Sequence, residues 1–140
     1  MDMKSCIEFA QKNGLAWIAT VGGNQPRVRP IGLWFADASG FYFQTSGQKD
    51  FHQQLLKNPK IEAAFYAPGD GLGTVLRISG EVEFLDDPAL KNQVIKDRPF
   101  LKQFGLSEDN PNLIIFRLAR GTAHFWTMKD DLAPKKVIEF

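Results

Sequence analysis

The stretch TVLRISGEVEFL, Thr74 to Leu85, alternates with a period of two. Leu76, Ile78, Val82 and Phe84 fall on one face, and Arg77, Ser79, Glu81 and Glu83 on the other. Successive side chains of a strand point to opposite sides of its sheet, so this pattern requires a strand with one apolar and one solvated face. Shorter runs obey the same logic. Leu15–Val21, Arg27–Phe35, Phe41–Thr45, Ile61–Ala67, Leu113–Leu118 and Thr122–Met128 read as strands, with GGNQP, ADASG and PGDGLG as turns or loops between them. Three helices are expected: Ser5–Asn13, stopped by Gly14; Gln48–Asn58, ended by Pro59; and Pro88–Lys96, with proline at an early helical position after an Asp pair. Arg98–Pro111 is a looser stretch, and Val137 and Ile138 form a short apolar tail. Strands outnumber helices, and no linker, repeat or low-complexity tract interrupts them. The chain therefore reads as one domain, residues 1–140, mainly β with flanking α: an antiparallel barrel or curled sheet with helices packed outside.

Composition narrows the function classes. With 140 residues the chain is long enough to bury a core, and 44% hydrophobic with 24% charged residues is ordinary for a soluble domain. Seventeen Lys and Arg against 16 Asp and Glu leave a formal charge of +1, so no strong field for a polyanion is expected; nucleic acid and anionic membranes are poor partners. No run reaches the length of a transmembrane helix, and the N-terminus lacks a signal-peptide pattern. Cys6 is the only cysteine, which excludes an internal disulfide and fits a reducing, cytoplasmic setting.

Chemistry concentrates in Gln25–Pro59. Alternation puts Arg27 and Arg29 on one face with Ile31, Leu33 and Phe35, and Pro30 marks this strand as an edge or as locally irregular. Charges at one end of an apolar stripe are either solvated strand ends or contacts to an anionic ligand. Thr45, Ser46 and Gly47 then lead straight into the helix at Gln48. Free N–H groups and the positive end of the helix dipole favour a phosphate there, by about 0.3–1 kcal/mol per exposed charge. Lys49, in the expected first turn, opposes that dipole; it is either a solvated lysine or a ligand for the anion.

The order of four pieces, ATV, QPRVRP, FYFQTSGQKDFHQQLLKNPKIEAAFY and LRISGEVEFLDDP, resembles the pyridoxamine 5′-phosphate oxidase-like FMN-binding split barrels, from about Leu15 to Phe140. The resemblance implies a six-stranded antiparallel split barrel that forms a homodimer with FMN at the interface. By that resemblance, Arg29, beside Pro30, reaches the flavin phosphate. Gln44 and Thr45, followed by Ser46, line the ring and ribityl chain, and Lys49 is the cation at the head of the helix. Trp34 stands where the oxidases often carry lysine and is there placed to pack against the ring, and Asp50 and Phe51 stand where cations are usual. The additional Arg- and His-bearing segment with which the oxidases grip their substrate has no counterpart, since the chain stops at KKVIEF. Pyridoxamine phosphate oxidation is therefore not expected.

Other candidates carry less. His52 reads as a helix-surface residue; His124, with Trp126, either borders the flavin of a partner subunit or is packed or at a solvent edge. Two histidines without ligand spacing make no metal site, Glu81 and Glu83 mark a solvated face, and Cys6 has no base partner. The expectation is an FMN-dependent oxidoreductase acting on a small molecule, with the flavin doing the chemistry and no catalytic side chain. The alternatives are a non-catalytic flavin- or haem-type binding or stress-response protein, and a degenerate barrel serving as an interaction module.

Overall fold

The computed structural model describes residues 2–140. Asp2 starts the first helix, α1 (Met3–Lys12), by accepting the Ser5 N–H and hydroxyl, both at 3.0 Å, so it begins two residues before the apolar pattern does. Two hairpins follow. The first joins β1 (Leu15–Gly22) to β2 (Gln25–Gly32) through a two-residue turn in which Gly23 takes φ 64°; the second joins β3 (Phe35–Asp37) to β4 (Gly40–Ser46). After α2 (Asp50–Lys57) come β5 (Lys60–Ala67), β6 (Thr74–Glu81) and the two-residue β7 (Glu83–Phe84). The chain closes with α3 (Pro88–Asp97), a 3-10 helix at Pro99–Phe104, β8 (Leu113–Leu118), β9 (Thr122–Thr127) and β10 (Ile138–Glu139).

The strands form a six-stranded antiparallel sheet, β10-β9-β6-β5-β1-β2, and a four-stranded sheet, β3-β4-β8-β7. This is the mainly β architecture with flanking helices expected from the alternation. Between the sheets lies the main core, with Ile18, Phe41, Phe43, Phe65, Leu76, Ile78, Phe116 and Leu118 fully buried. The Phe43 and Phe116 rings stack at 5.2 Å, and Phe51 of α2 meets Phe116 edge-on at 5.5 Å. A second cluster, Val94, Ile95, Leu101, Leu106, Leu113 and Ile115, seals the far side of the four-stranded sheet under α3. Since β8 is buried on both faces, its sequence LIIFRL is nearly continuous apolar instead of alternating.

Two expected strands are each divided. Arg27–Phe35 breaks at Leu33: its N–H goes to Gly14 O (2.7 Å), but the Trp34 N–H goes to Tyr42 O (2.9 Å) in the other sheet. Phe35 thus belongs to β3, away from the stripe that carries Arg29 and Ile31. Thr74–Leu85 breaks at Val82, whose N–H turns to Pro59 O (2.9 Å), before Leu85 joins Ile115 O (2.9 Å). Phe84 is left partly exposed as a result. The expected helix Gln48–Asn58 is also shorter: Lys49 is extended (φ −85°, ψ 147°) and is the N-cap, so it does not lie in the first turn.

The strand β2 is an edge, and Pro30 lies on it opposite Trp17. Cross-strand register places Pro30, Trp17, Ala64, Arg77 and His124 in one row across the outer face of the large sheet. Leu15, Trp17, Val28 and Tyr66 are all exposed on that face, Trp17 at 49%. Among the described residues, no helix is long and apolar enough to cross a membrane.

Candidate functional site

Arg29 leaves the edge strand on its inner side and folds beneath α2. Its Nη1 donates to Thr20 Oγ1 (2.7 Å) and Ile18 O (3.2 Å), and Nη2 donates to Gln54 Oε1 (2.7 Å). The guanidinium carbon lies 4.7 Å from the centre of the Phe51 ring, a cation–π contact. Phe51 and Gln54, three apart on α2, face Arg29 together because one helical turn brings them to the same side. Every acceptor of Arg29 is neutral. Burial, and then the charge of Arg27, push the Arg29 pKa down, which marks a cation left without compensation. Arg29 takes no part in the ion pairs among the described residues, which join Lys4 to Glu8, Arg77 to Glu62, Lys91 to Asp86 and Arg117 to Glu83.

At the end of β4 the chain turns into α2. Ser46 Oγ accepts the Gln48 N–H at 3.3 Å and Ser46 O accepts the Lys49 N–H at 3.1 Å. The N–H groups of Asp50 and Phe51 find no acceptor among the described residues, and Lys49 makes no side-chain cap. Thr45 is 4% exposed, and its hydroxyl oxygen is buried with no partner in the protein. An orphaned buried hydroxyl is costly, so Thr45, at the end of the strand that leads into α2, fits a ligand that supplies the missing bond. The Asp50 carboxylate, at the start of α2, is the one group that competes for the same positive end.

Gln44 lies one residue before Thr45 and points to the opposite side of the sheet. Its Oε1 accepts from Arg98 Nη1 at 2.8 Å, and Arg98 Nη2 also donates to Leu33 O at the β2–β3 crossover. Trp34, expected to face a ring, has its indole N–H bound to Asp97 Oδ2 (2.9 Å) and packs edge-on against Phe35 (4.8 Å) and Tyr42 (6.3 Å). That bond, followed by one from Gln93, holds the Asp97 carboxyl below its ordinary pKa.

The crossover thus separates two groups: Arg29 with Thr20, Phe51 and Gln54 on one side, Gln44 with Arg98 and Trp34 on the other. Sequence reasoning missed Arg98, Gln54 and Thr20. Gln54 was detectable, since it follows Phe51 by three on an amphipathic helix; Arg98 gave no signal, because it sits in an irregular stretch. His52, expected on the helix surface, instead packs edge-on against Phe84 at 5.3 Å with its Nδ1 buried and unpartnered. His124 stands opposite Arg77 with Nε2 likewise unpartnered, and burial, then Arg77 and Lys135, lower its pKa. Burial raises the pKa of Cys6, which keeps it a protonated core thiol.

A cleft of about 190 Å³ opens beside the Arg29 group, between the β1–β2 turn and α2, lined by Gly22, Gly23, Asp50, Gln53, Gln54 and Lys57. A larger hollow of about 250 Å³ lies across β7 and β8, near Phe84, Lys91 and Ile114, and touches none of the expected site residues. Among the described residues no group of three His, Cys, Asp or Glu side chains comes together to hold a metal.

The family model described as pyridoxamine 5′-phosphate oxidase matches residues 3–127. A search of the curated proteins found no match. Among solved structures, a NimC/NimA family protein from Clostridium acetobutylicum superposes with a TM-score of 0.81 at 27% identity, covering 99% of this chain and 93% of that one. General Stress Protein 26 from Bacillus anthracis gives 0.73 at 20% identity, over 89% of this chain and 94% of that one. HutZ, the heme storage protein from Vibrio cholerae, gives 0.66 at 15% identity, over 85% and 90%. The last two likenesses are of fold alone.

Proposed function

The chain belongs to the pyridoxamine 5′-phosphate oxidase family, and from that premise we propose that it is an FMN-binding flavoprotein, an oxidoreductase acting on a small molecule. One observation carries the reading. Arg29 is a half-buried cation without a carboxylate, held under the helix whose N-terminus follows the orphaned Thr45 hydroxyl. Fixed positive charge, unpartnered N–H groups and an unpaired hydroxyl are the donor set a phosphate monoester takes.

In this reading Arg29 and the α2 terminus anchor the phosphate, with Ser46 and Lys49 at its rim and Pro30 shaping the edge strand. Thr45 supplies a hydroxyl to the chain that links phosphate and ring. Gln44 donates from its amide to the ring, and Trp34, fixed by Asp97, closes the wall behind it. FMN, when bound, supplies the electron or hydride transfer, so the side chains need only bind, orient and exclude water. A second copy of the chain covers the outer face that carries Leu15, Trp17, Val28 and Tyr66, which places FMN at the interface and His124 and Trp126 beside the partner's site.

The second reading is a flavin- or haem-type binding protein without turnover. It draws on His124, whose unpartnered Nε2 and lowered pKa suit a neutral imidazole ligand. The absorption spectrum of the protein incubated with FMN or with haemin separates the readings. Flavin bands, bleached anaerobically by a nicotinamide donor, support the oxidoreductase. Flavin bands that resist bleaching, or a Soret band with haemin alone, support the binder; a protein colourless with both ligands counts against each.

A further inference from the structure

Among the described residues, Arg98 is the half-buried cation that the reading above leaves without a task and that joins no ion pair, unlike Arg77, Lys91 and Arg117. It caps α3 through its N–H to Val94 O (2.8 Å) and sends its guanidinium back to the β2–β3 crossover. Nη1 donates to Gln44 Oε1 at 2.8 Å and to Gly32 O at 3.5 Å, and Nη2 donates to Leu33 O. All three acceptors are neutral, so the charge remains unneutralised; burial lowers the Arg98 pKa and the adjacent Asp97 opposes this only in part. A charge taken from water without a counter-charge costs stability, and two carbonyls and an amide do not need a full charge to be satisfied. Such a violation beside a candidate site points to function.

The contact also fixes Gln44. A guanidinium only donates, so the amide atom facing Arg98 is the oxygen. The NH2 is then turned the other way, where it has no protein acceptor among the described residues. We infer that Arg98 is a positioning residue that locks Gln44 as a hydrogen-bond donor toward the flavin ring and holds a positive charge behind it, so that the site prefers reduced over oxidised FMN. This rests on the FMN reading above.

The test uses the purified full chain loaded with FMN. The Kd for oxidised FMN comes from quenching of flavin fluorescence, and the midpoint potential from anaerobic titration against a reference dye. Arg98→Met is expected to weaken binding of reduced FMN about tenfold more than oxidised FMN, a shift to more negative potential of ~30 mV for a two-electron couple. Arg98→Lys keeps the charge but not the fork, so it loses affinity while the potential stays near wild type. Arg98→Gln keeps an amide donor for the crossover but not the charge, so it remains informative if Arg98→Met fails to fold; its potential falls as well. A purely structural Arg98 would lower the melting temperature and leave the potential unmoved in every folded variant, which overturns the inference while wild type still binds FMN. Wild-type protein that takes up no flavin overturns the FMN reading itself, and this inference with it.

Discussion

Replacing Arg29 with methionine separates a structural from a binding role. Methionine retains much of the aliphatic stem but removes the guanidinium, with its cation–π contact to Phe51 and its bonds to Thr20, Gln54 and Ile18. Two of those acceptors are not stranded by the change, because the Thr20 hydroxyl already donates to Gln54 Oε1. The loss is further offset by relief of burying an unpaired cation. Stability of the flavin-free protein should therefore change by no more than about 1 kcal/mol, small for a variant that deletes several hydrogen bonds. Binding should respond differently, since a charge-assisted bond to phosphate contributes about 1.5–3 kcal/mol, roughly ten- to a hundredfold in Kd. Urea denaturation of the flavin-free protein and fluorescence titration with FMN read the two quantities separately. Loss of more than about 3 kcal/mol of stability with FMN affinity intact would show Arg29 to be a fold-holding residue and refute the reasoning.

Three further outcomes are expected. Phe116→Ala, which empties the ring stacked on Phe43 and met by Phe51, should cost about 3–5 kcal/mol in urea denaturation. Trp17→Asp, on the exposed outer face, should leave the monomer's fold intact and shift the sedimentation of the protein from dimer to monomer; an unchanged dimer would put the interface elsewhere. His124 has a folded pKa below its unfolded value of 6.5, chiefly through burial. Its contribution is therefore present above pH 6.5 and lost as the pH falls through the folded pKa. Melting temperatures between pH 7.5 and 5 should decline less steeply in His124→Gln than in wild type.

The strand-rich architecture was legible because alternation survives wherever one face of a sheet meets solvent, as in Leu76, Ile78 and their neighbours. The divisions at Leu33 and Val82 were not. At each, the chain keeps an extended backbone and changes only the partner of its N–H, which leaves no mark on side-chain periodicity. The start of α2 was misplaced by two residues for a related reason: Gln48 and Lys49 have helical propensity, but the turn from Ser46 holds Lys49 extended. Within the site, Arg29 was visible as a charge on an apolar stripe. Arg98 was not, since its contacts at Gln44 and Leu33 are 54 and 65 positions distant in the chain. Trp34 was read as a ring contact, and no local signal told of its bond to Asp97, 63 residues on.

The central claim is that Arg29 and the head of α2 form a phosphate site, and a comparison of FMN with riboflavin, which lacks the phosphate, tests it most directly. Wild-type protein is expected to bind FMN about tenfold or more tightly than riboflavin, with Arg29→Met erasing the difference. Equal affinity for the two ligands in wild type, or a preference that survives in Arg29→Met, would contradict the account.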